Sequence, residues 1–194
     1  MRKTAFKDVY QLKIQLEGIR PPIWRRIQVP ETYTMEELHF AIQDAMGWCD
    51  EHMHEFIVGA SSRGSGVRIG IAEAAEEWGD EIIDERKVRV SDVMKARGEK
   101  IMYVYDFGDN WVHKITLEKI LPREEGVSYP VCVDGKRACP LEDCGGVSGY
   151  YTILEALKNP EAEKEYADLL EWVRTWCENY DPERFDPKEV VFRK

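Results

Sequence analysis

Tyr103-Val104-Tyr105-Asp106-Phe107-Gly108-Asp109-Asn110-Trp111-Val112-His113 reads as two strands joined by a polar turn. Ile101, Tyr103, Tyr105 and Phe107 alternate with other residues before the turn, and Trp111, His113, Ile115 and Leu117 alternate after it, the period-two pattern of half-buried strands. Gly108-Asp109-Asn110 supplies residues that tolerate positive φ and tight reversal. The hairpin therefore carries two carboxylates, Asp106 and Asp109, at its end and directs the His113 imidazole toward the apolar side.

Tyr10, Leu12, Ile14 and Leu16 alternate with polar residues, which predicts a strand over residues 8–17 with one wet face. Gly18 to Pro22 turn the chain, and Ile23 to Val29 return as a second strand carrying Trp24, Arg25 and Arg26. Thr34 with Glu37 three residues later forms a capping-box signature, and Leu38, Ala41, Ile42 and Ala45 make a helical stripe that stops at Gly47. The segment from His52 to Gly59 reads as a strand with His52, His54, Phe56 and Val58 on one face. Residues 60–70 are rich in Ser, Gly and Arg and read as a flexible connection. Glu73 to Glu85 holds seven carboxylates and reads as a solvated acidic insertion. Val88 to Val90 reads as a short strand, followed by a brief helix from Ser91 through Ala96.

Beyond Pro122 the pattern loosens. Residues 123–147 read as a loop bearing Cys132, Cys139 and Cys144, and a loop of that length in a compact protein needs a staple or a function. Residues 148–180 read as two helices broken at Asn159-Pro160, and residues 181–194 as an extended tail. The expected architecture is a single α+β domain over residues 1–194. Residues 1–122 make its sheet-rich core, a mixed or mostly antiparallel sheet with a packed helix, and the helical pair lies at the C-terminal end.

The 194 residues are 43% hydrophobic and 11% aromatic, enough for one sizeable core. A net charge of -10 disfavours broad nucleic-acid binding, which rests on neutralising phosphates with Lys and Arg. Nothing in the chain has the length and apolarity of a membrane span or a signal peptide. Five cysteines, an odd number, fit reduced thiols or metal ligands, and the expected location is cytoplasmic.

Several stretches taken together resemble the plasmid pRiA ORF-three-like family: Arg20-Pro21-Pro22-Ile23-Trp24-Arg25-Arg26, Leu38-His39 with Gly47-Trp48, His52-Met53-His54-Glu55-Phe56, the Tyr105 to His113 hairpin, and Ala138-Cys139-Pro140-Leu141-Glu142-Asp143-Cys144-Gly145-Gly146 with Gly149-Tyr150. These motifs run from Arg20 to Tyr150, and the likeness as a whole covers roughly residues 8–190. The resemblance implies an α+β domain of unsettled function with a link to mobile-element biology, some relatives being labelled resolvases. Leu141 stands where the family pattern has a second proline, a difference that bears on loop stiffness.

All four histidines, His39, His52, His54 and His113, lie inside these motifs. His52 and His54, two apart on one strand face, can point at one ion, and zinc takes such neutral imidazoles. The alternative is that the imidazoles are core residues tied to carboxylates such as Asp106 or Asp109. Cys132, Cys139 and Cys144 lack the paired C-x-x-C spacing of zinc knuckles, yet three thiolates with a histidine can close a tetrahedron. The Gly145-Gly146 pair before a helix can cradle an anion on backbone N–H groups. Two functions follow. One is a binding or accessory module for a protein or small-molecule partner, its groove formed by His52, His54, Asp106, Asp109, Trp111 and His113. The other is a metal-dependent hydrolase or nuclease using the same histidines, an aspartate and Glu55 as base. A serine recombinase is excluded by the acidic balance and the absence of an activated Ser beside clustered arginines.

Overall fold

The structure, a computed structural model, describes residues 6–59, 66–72, 81–159 and 165–193. Among them are β1 (Asp8–Leu16), β2 (Trp24–Pro30), β3 (His54–Val58), β4 (Val67–Gly70), β5 (Ile83–Asp84), β6 (Lys100–Tyr105), β7 (Trp111–Pro122) and β8 (Val131–Lys136). The helices are α1 (Met35–Met46), α2 (Val90–Val93), α3 (Gly146–Lys158) and α4 (Ala167–Trp176), with a 3-10 turn at Pro187–Glu189. The strands form one sheet in the order β5-β4-β3-β6-β7-β1-β2-β8. Every pairing is antiparallel except β4 with β5, so the fold is α+β with a mixed, mostly antiparallel sheet.

Strand alternation sorts the two faces. Leu12, Ile14, Ile27, Tyr103, Tyr105, Trp111, Ile115 and Leu117 are buried on the core side. The other side is a polar ladder: Arg26 donates to Glu118 at 2.6 and 3.0 Å and to Asp134 at 2.8 Å, and Gln11 donates to Glu118 at 3.0 Å. The core side is covered in part by α1, which begins where the capping box predicts. Thr34 Oγ1 accepts from Glu37 N at 3.1 Å, and Glu37 returns a carboxylate oxygen to Thr34 N at 2.9 Å, an arrangement worth about 1 kcal/mol. Gly47, at φ 91°, ends the helix in the left-handed conformation.

Arg25 falls on the core side because Ile23, Arg25, Ile27 and Val29 share one face of the β2 run. Its guanidinium donates to Ala45 O at 2.8 Å, Trp24 O at 3.0 Å and Lys136 O at 3.2 Å, and lies 3.7 Å from the centroid of the Phe185 ring. One buried cation thus ties the end of α1, β8 and the tail together. Burial pulls its pKa below the usual guanidinium value.

Several expectations change. Residues 67–70 form β4 rather than part of a flexible connection; residues 60–65 lie outside the described residues. Of the acidic insertion, residues 73–80 lie outside the described residues, while Ile83–Asp84 is an edge strand and Asp84 and Glu85 are buried rather than solvated. Residues 88–90 make no strand: Arg89 forms an isolated bridge with Thr34, and the helix starts at Val90. The cysteine-bearing segment contains β8, which extends the sheet beyond β2. α3 begins at Gly146, before Ser148, and α4 is described only over Ala167–Trp176. The short segments were missed because pairing with a neighbouring strand, not their own pattern, makes them strands.

Candidate functional site

The hairpin end is built by its own side chains. Asp106 and Asn110 take positive φ, 55° and 56°, and Asp106 Oδ1 accepts from Gly108 N at 2.8 Å and Asp109 N at 3.3 Å. Asp109 Oδ2 accepts from Gly145 N at 3.1 Å. The glycine pair at the start of α3 therefore meets a carboxylate of the same chain. A Cβ on Gly146 would lie 2.5 Å from the Asp109 carbonyl oxygen, and Gly146 has φ 67°. Gly146→Ala is expected to lower the unfolding free energy by about 2–3 kcal/mol, from backbone strain plus overpacking. Urea denaturation checks it; a loss below about 0.5 kcal/mol would mean the hairpin and the loop do not touch so closely.

Inward from this end, His39 of α1 and His54 of β3 stack face to face, with ring centroids 3.4 Å apart and planes 2° from parallel. Gln43 Nε2 donates to the Tyr103 oxygen at 2.9 Å, which leaves the Tyr103 O–H for His39 Nδ1 at 2.8 Å; His39 Nε2–H then donates to Asp50 Oδ1 at 2.7 Å. That chain describes a neutral His39. Burial pulls its pKa down and the neighbouring His54 adds to the effect, outweighing Asp50. On Asp50, burial acts upward, but the hydrogen bonds from His39 and Arg193 hold the carboxyl below its usual value. His54 Nε2 pairs with Glu85 Oε2 at 2.7 Å, and both residues are buried. His54 Nδ1 is buried with no hydrogen-bond partner among the described residues.

The stacked pair borders a cleft of about 370 Å³. His52 also lines it, as do five carboxylates, Glu36, Asp50, Glu51, Asp84 and Glu85, with Arg86 bound to Asp84 at 2.9 Å. Three of the four histidines thus face one acidic space. His113 does not line it: fully buried, it donates from Nδ1 to Trp111 O at 3.0 Å, and its ring packs on Tyr103 at 5.3 Å, as His54 does at 6.0 Å. Burial pushes the His113 pKa down to about 3.

His52 sits at the cleft end nearest the hairpin, its ring edge-on to Tyr105 at 5.8 Å. Its Nε2 lies 3.2 Å from Asp143 Oδ1 and 3.8 Å from Asp106 Oδ2. Among the described residues, this is the one group of three or more His, Cys, Asp or Glu side chains whose ligand atoms gather within 4.8 Å of one another. Trp111 is fully buried and packs against Trp48 at 6.0 Å, while Tyr105 bonds Glu142.

The residues read from sequence therefore divide. His52 and Asp106 come together, His54 lines the same cleft as His52 but stacks on His39, and Asp109 serves the junction with α3. Trp111 and His113 belong to the core beneath. Cys132, Cys139 and Cys144 do not converge with any histidine as a ligand group. Burial raises the thiol pKa of all three, that of Cys144 to about 12, which keeps them protonated. Glu55 pairs with Arg68. The alternative of core imidazoles tied to carboxylates describes His39 and His54, but their partners are Asp50 and Glu85 rather than Asp106 or Asp109; sequence reasoning did not single out Asp50, Glu85, Tyr103 and Asp143 as neighbours of the imidazoles, or Glu142 as the partner of Tyr105. A histidine next to Leu38 on the buried stripe of α1 was the one signal available for His39.

Known proteins offer likeness without an activity. A family profile described as plasmid pRiA4b ORF-3-like protein matches residues 8–189. An uncharacterised protein of Sinorhizobium fredii, y4hQ, is 39% identical over 166 residues, covering 85% of this chain and 80% of that protein. The crystal structure of MM3350 from Methanosarcina mazei Go1, a protein of unknown function, superposes with a TM-score of 0.83 at 47% identity, covering 97% of this chain and all of that one.

Proposed function

Given that the chain belongs to the plasmid pRiA4b ORF-3-like family, whose compared members carry no assigned activity, we propose from its own geometry a cytoplasmic binding module. Its ligand seats in the cleft beside the His39–His54 stack and is cationic. The observation that carries this reading is the lining of the cleft: five carboxylates and three imidazoles around about 370 Å³, a volume within the range of small-molecule sites. Carboxylates held by imidazole nitrogens keep their remaining lone pairs for further donors. A ligand rich in N–H donors, such as an alkylammonium or guanidinium group, matches that set. The odd number of cysteines supports the reducing compartment.

Calorimetric titration with agmatine and with spermidine tests the proposal. Binding in the micromolar range, weakened at least tenfold by Glu85→Gln or by Glu51→Gln on the exposed rim, is the expected result. Equal affinity for a dicarboxylate of the same length, or no heat from either cation up to about 1 mM, would overturn it.

A further inference from the structure

We infer that His52, Asp106 and Asp143 form a mononuclear site for a first-row divalent cation, at the junction of the hairpin end and the loop before α3. This site goes beyond the cleft reading and does not depend on it.

Three segments distant in sequence deliver the three side chains, and each is anchored. Asp106 N donates to Met53 O at 2.9 Å, joining the hairpin end to the residue after His52. Glu51 N donates to the Tyr105 hydroxyl at 3.1 Å, holding the residue before His52. Asp143 lies between two clamps. On one side Glu142 bonds the Tyr105 hydroxyl and accepts from Cys49 N at 2.7 Å; on the other Gly145 N donates to Asp109 at 3.1 Å. The clamps on His52 and Asp143 thus do not use those two side chains, while Asp106 caps its own turn with Oδ1 and presents Oδ2 to His52.

A separate observation points to a ligand there. The His52 Nε2 atom is shielded from solvent and has no hydrogen-bond partner among the described residues, although Asp143 Oδ1 is 3.2 Å away. The ring nitrogen is out of line for that bond. A buried nitrogen normally finds a partner, and a cation between the nitrogen and the carboxylates supplies one. Bonds of about 2.0–2.2 Å from an ion to nitrogen and oxygen place cis donors roughly 3–3.5 Å apart. The separation to Asp143 already meets this, and the 3.8 Å to Asp106 is close to it. Asp106 is buried and fixed by its turn, whereas the Asp143 side chain is 54% exposed and free to close on an ion.

The donor set selects the class. One imidazole with two carboxylates is too nitrogen-rich for Mg²⁺ or Ca²⁺ preference and too poor in sulfur for Cu⁺, so Zn²⁺, Mn²⁺ or Fe²⁺ fits. With three protein ligands, positions remain for water.

The test uses untagged, chelator-treated protein titrated with Co²⁺, followed by its visible absorption, and with Zn²⁺, followed by calorimetry. One equivalent should bind, with affinity at least tenfold weaker in Asp143→Asn and undetectable in His52→Ala. Asp143 is exposed, so that variant keeps its fold, and circular dichroism confirms this for both. Glu85→Gln, which disturbs the cleft, should leave metal affinity within twofold of the parent, so failure of the cleft reading and failure of this one are separable. Stoichiometry below about a tenth of an equivalent at 1 mM metal, or binding that survives Asp143→Asn and so comes from the thiols, would overturn the site.

Discussion

Trp111→Ala is expected to lower the unfolding free energy by about 3–5 kcal/mol, the usual cost of emptying a fully buried indole site. Trp111 is 0% exposed, opens β7 opposite Tyr105 in the β6–β7 register, and lies against Trp48. The effect should reach the site. Trp48 stacks on Tyr105 at 5.0 Å, and the Tyr105 hydroxyl holds Glu142, the neighbour of Asp143. Removing the indole loosens this aromatic layer and with it the clamp on the loop. Urea denaturation gives the stability loss, and near-ultraviolet circular dichroism reports the tryptophan and tyrosine environment. A loss under about 1 kcal/mol would mean that the indole is not enclosed as described.

The second large effect is on acid stability. Burial lowers the folded-state pKa of His113 to about 3 from an ordinary 6.5, and lowers that of His39 as well. The unfolded chain therefore binds protons below pH 6.5 that the folded chain refuses, so stability is full above that pH and falls as pH drops through it. Each such imidazole costs up to about 1.4 kcal/mol per pH unit. The lowered carboxylates enter later. Glu118 and Asp50 are held below their ordinary 4.5 and 3.8, so their contributions are present above those values and are lost only as pH falls beneath them. Between pH 6.5 and 4.5 the downward slope thus comes from His113 and His39, offset in part by Glu36, whose carboxyl burial raises above its ordinary 4.5 so that the folded chain takes up that proton first. Unfolding free energies at half-unit steps across this range should show this slope, and His113→Phe should reduce it by about 1.4 kcal/mol per pH unit. An unchanged slope in that variant would place the titrating group elsewhere.

Much of the framework could be read from alternation. β1, β2, α1 and the central hairpin were legible because each carries its own period and its own end signals: Thr34 with Glu37, Gly47, and the Asp106 to Asn110 turn. The turn was placed correctly, but its positive-φ residues are Asp106 and Asn110, with Gly108 outside that region. β4, β5 and β8 were not legible, since segments of four, two and six residues acquire strand character from the partner they pair with.

The site shows the same division at the level of side chains. Residue identity and local spacing were enough to single out His52, His54, Asp106 and Asp109, and to foresee that His113 turns toward the apolar side. They could not rank them. Asp109 became a tether for Gly145 and His113 a core residue, while Asp50, Glu85 and Asp143, each on a different segment, became the carboxylates that face imidazoles. Periodicity is a local property carried by a dozen residues, so it survives translation from sequence to element. Which acid meets which imidazole depends on strand order, on the stacking of α1 over β3 and on where a loop is clamped, and those are settled by burial summed over the whole chain.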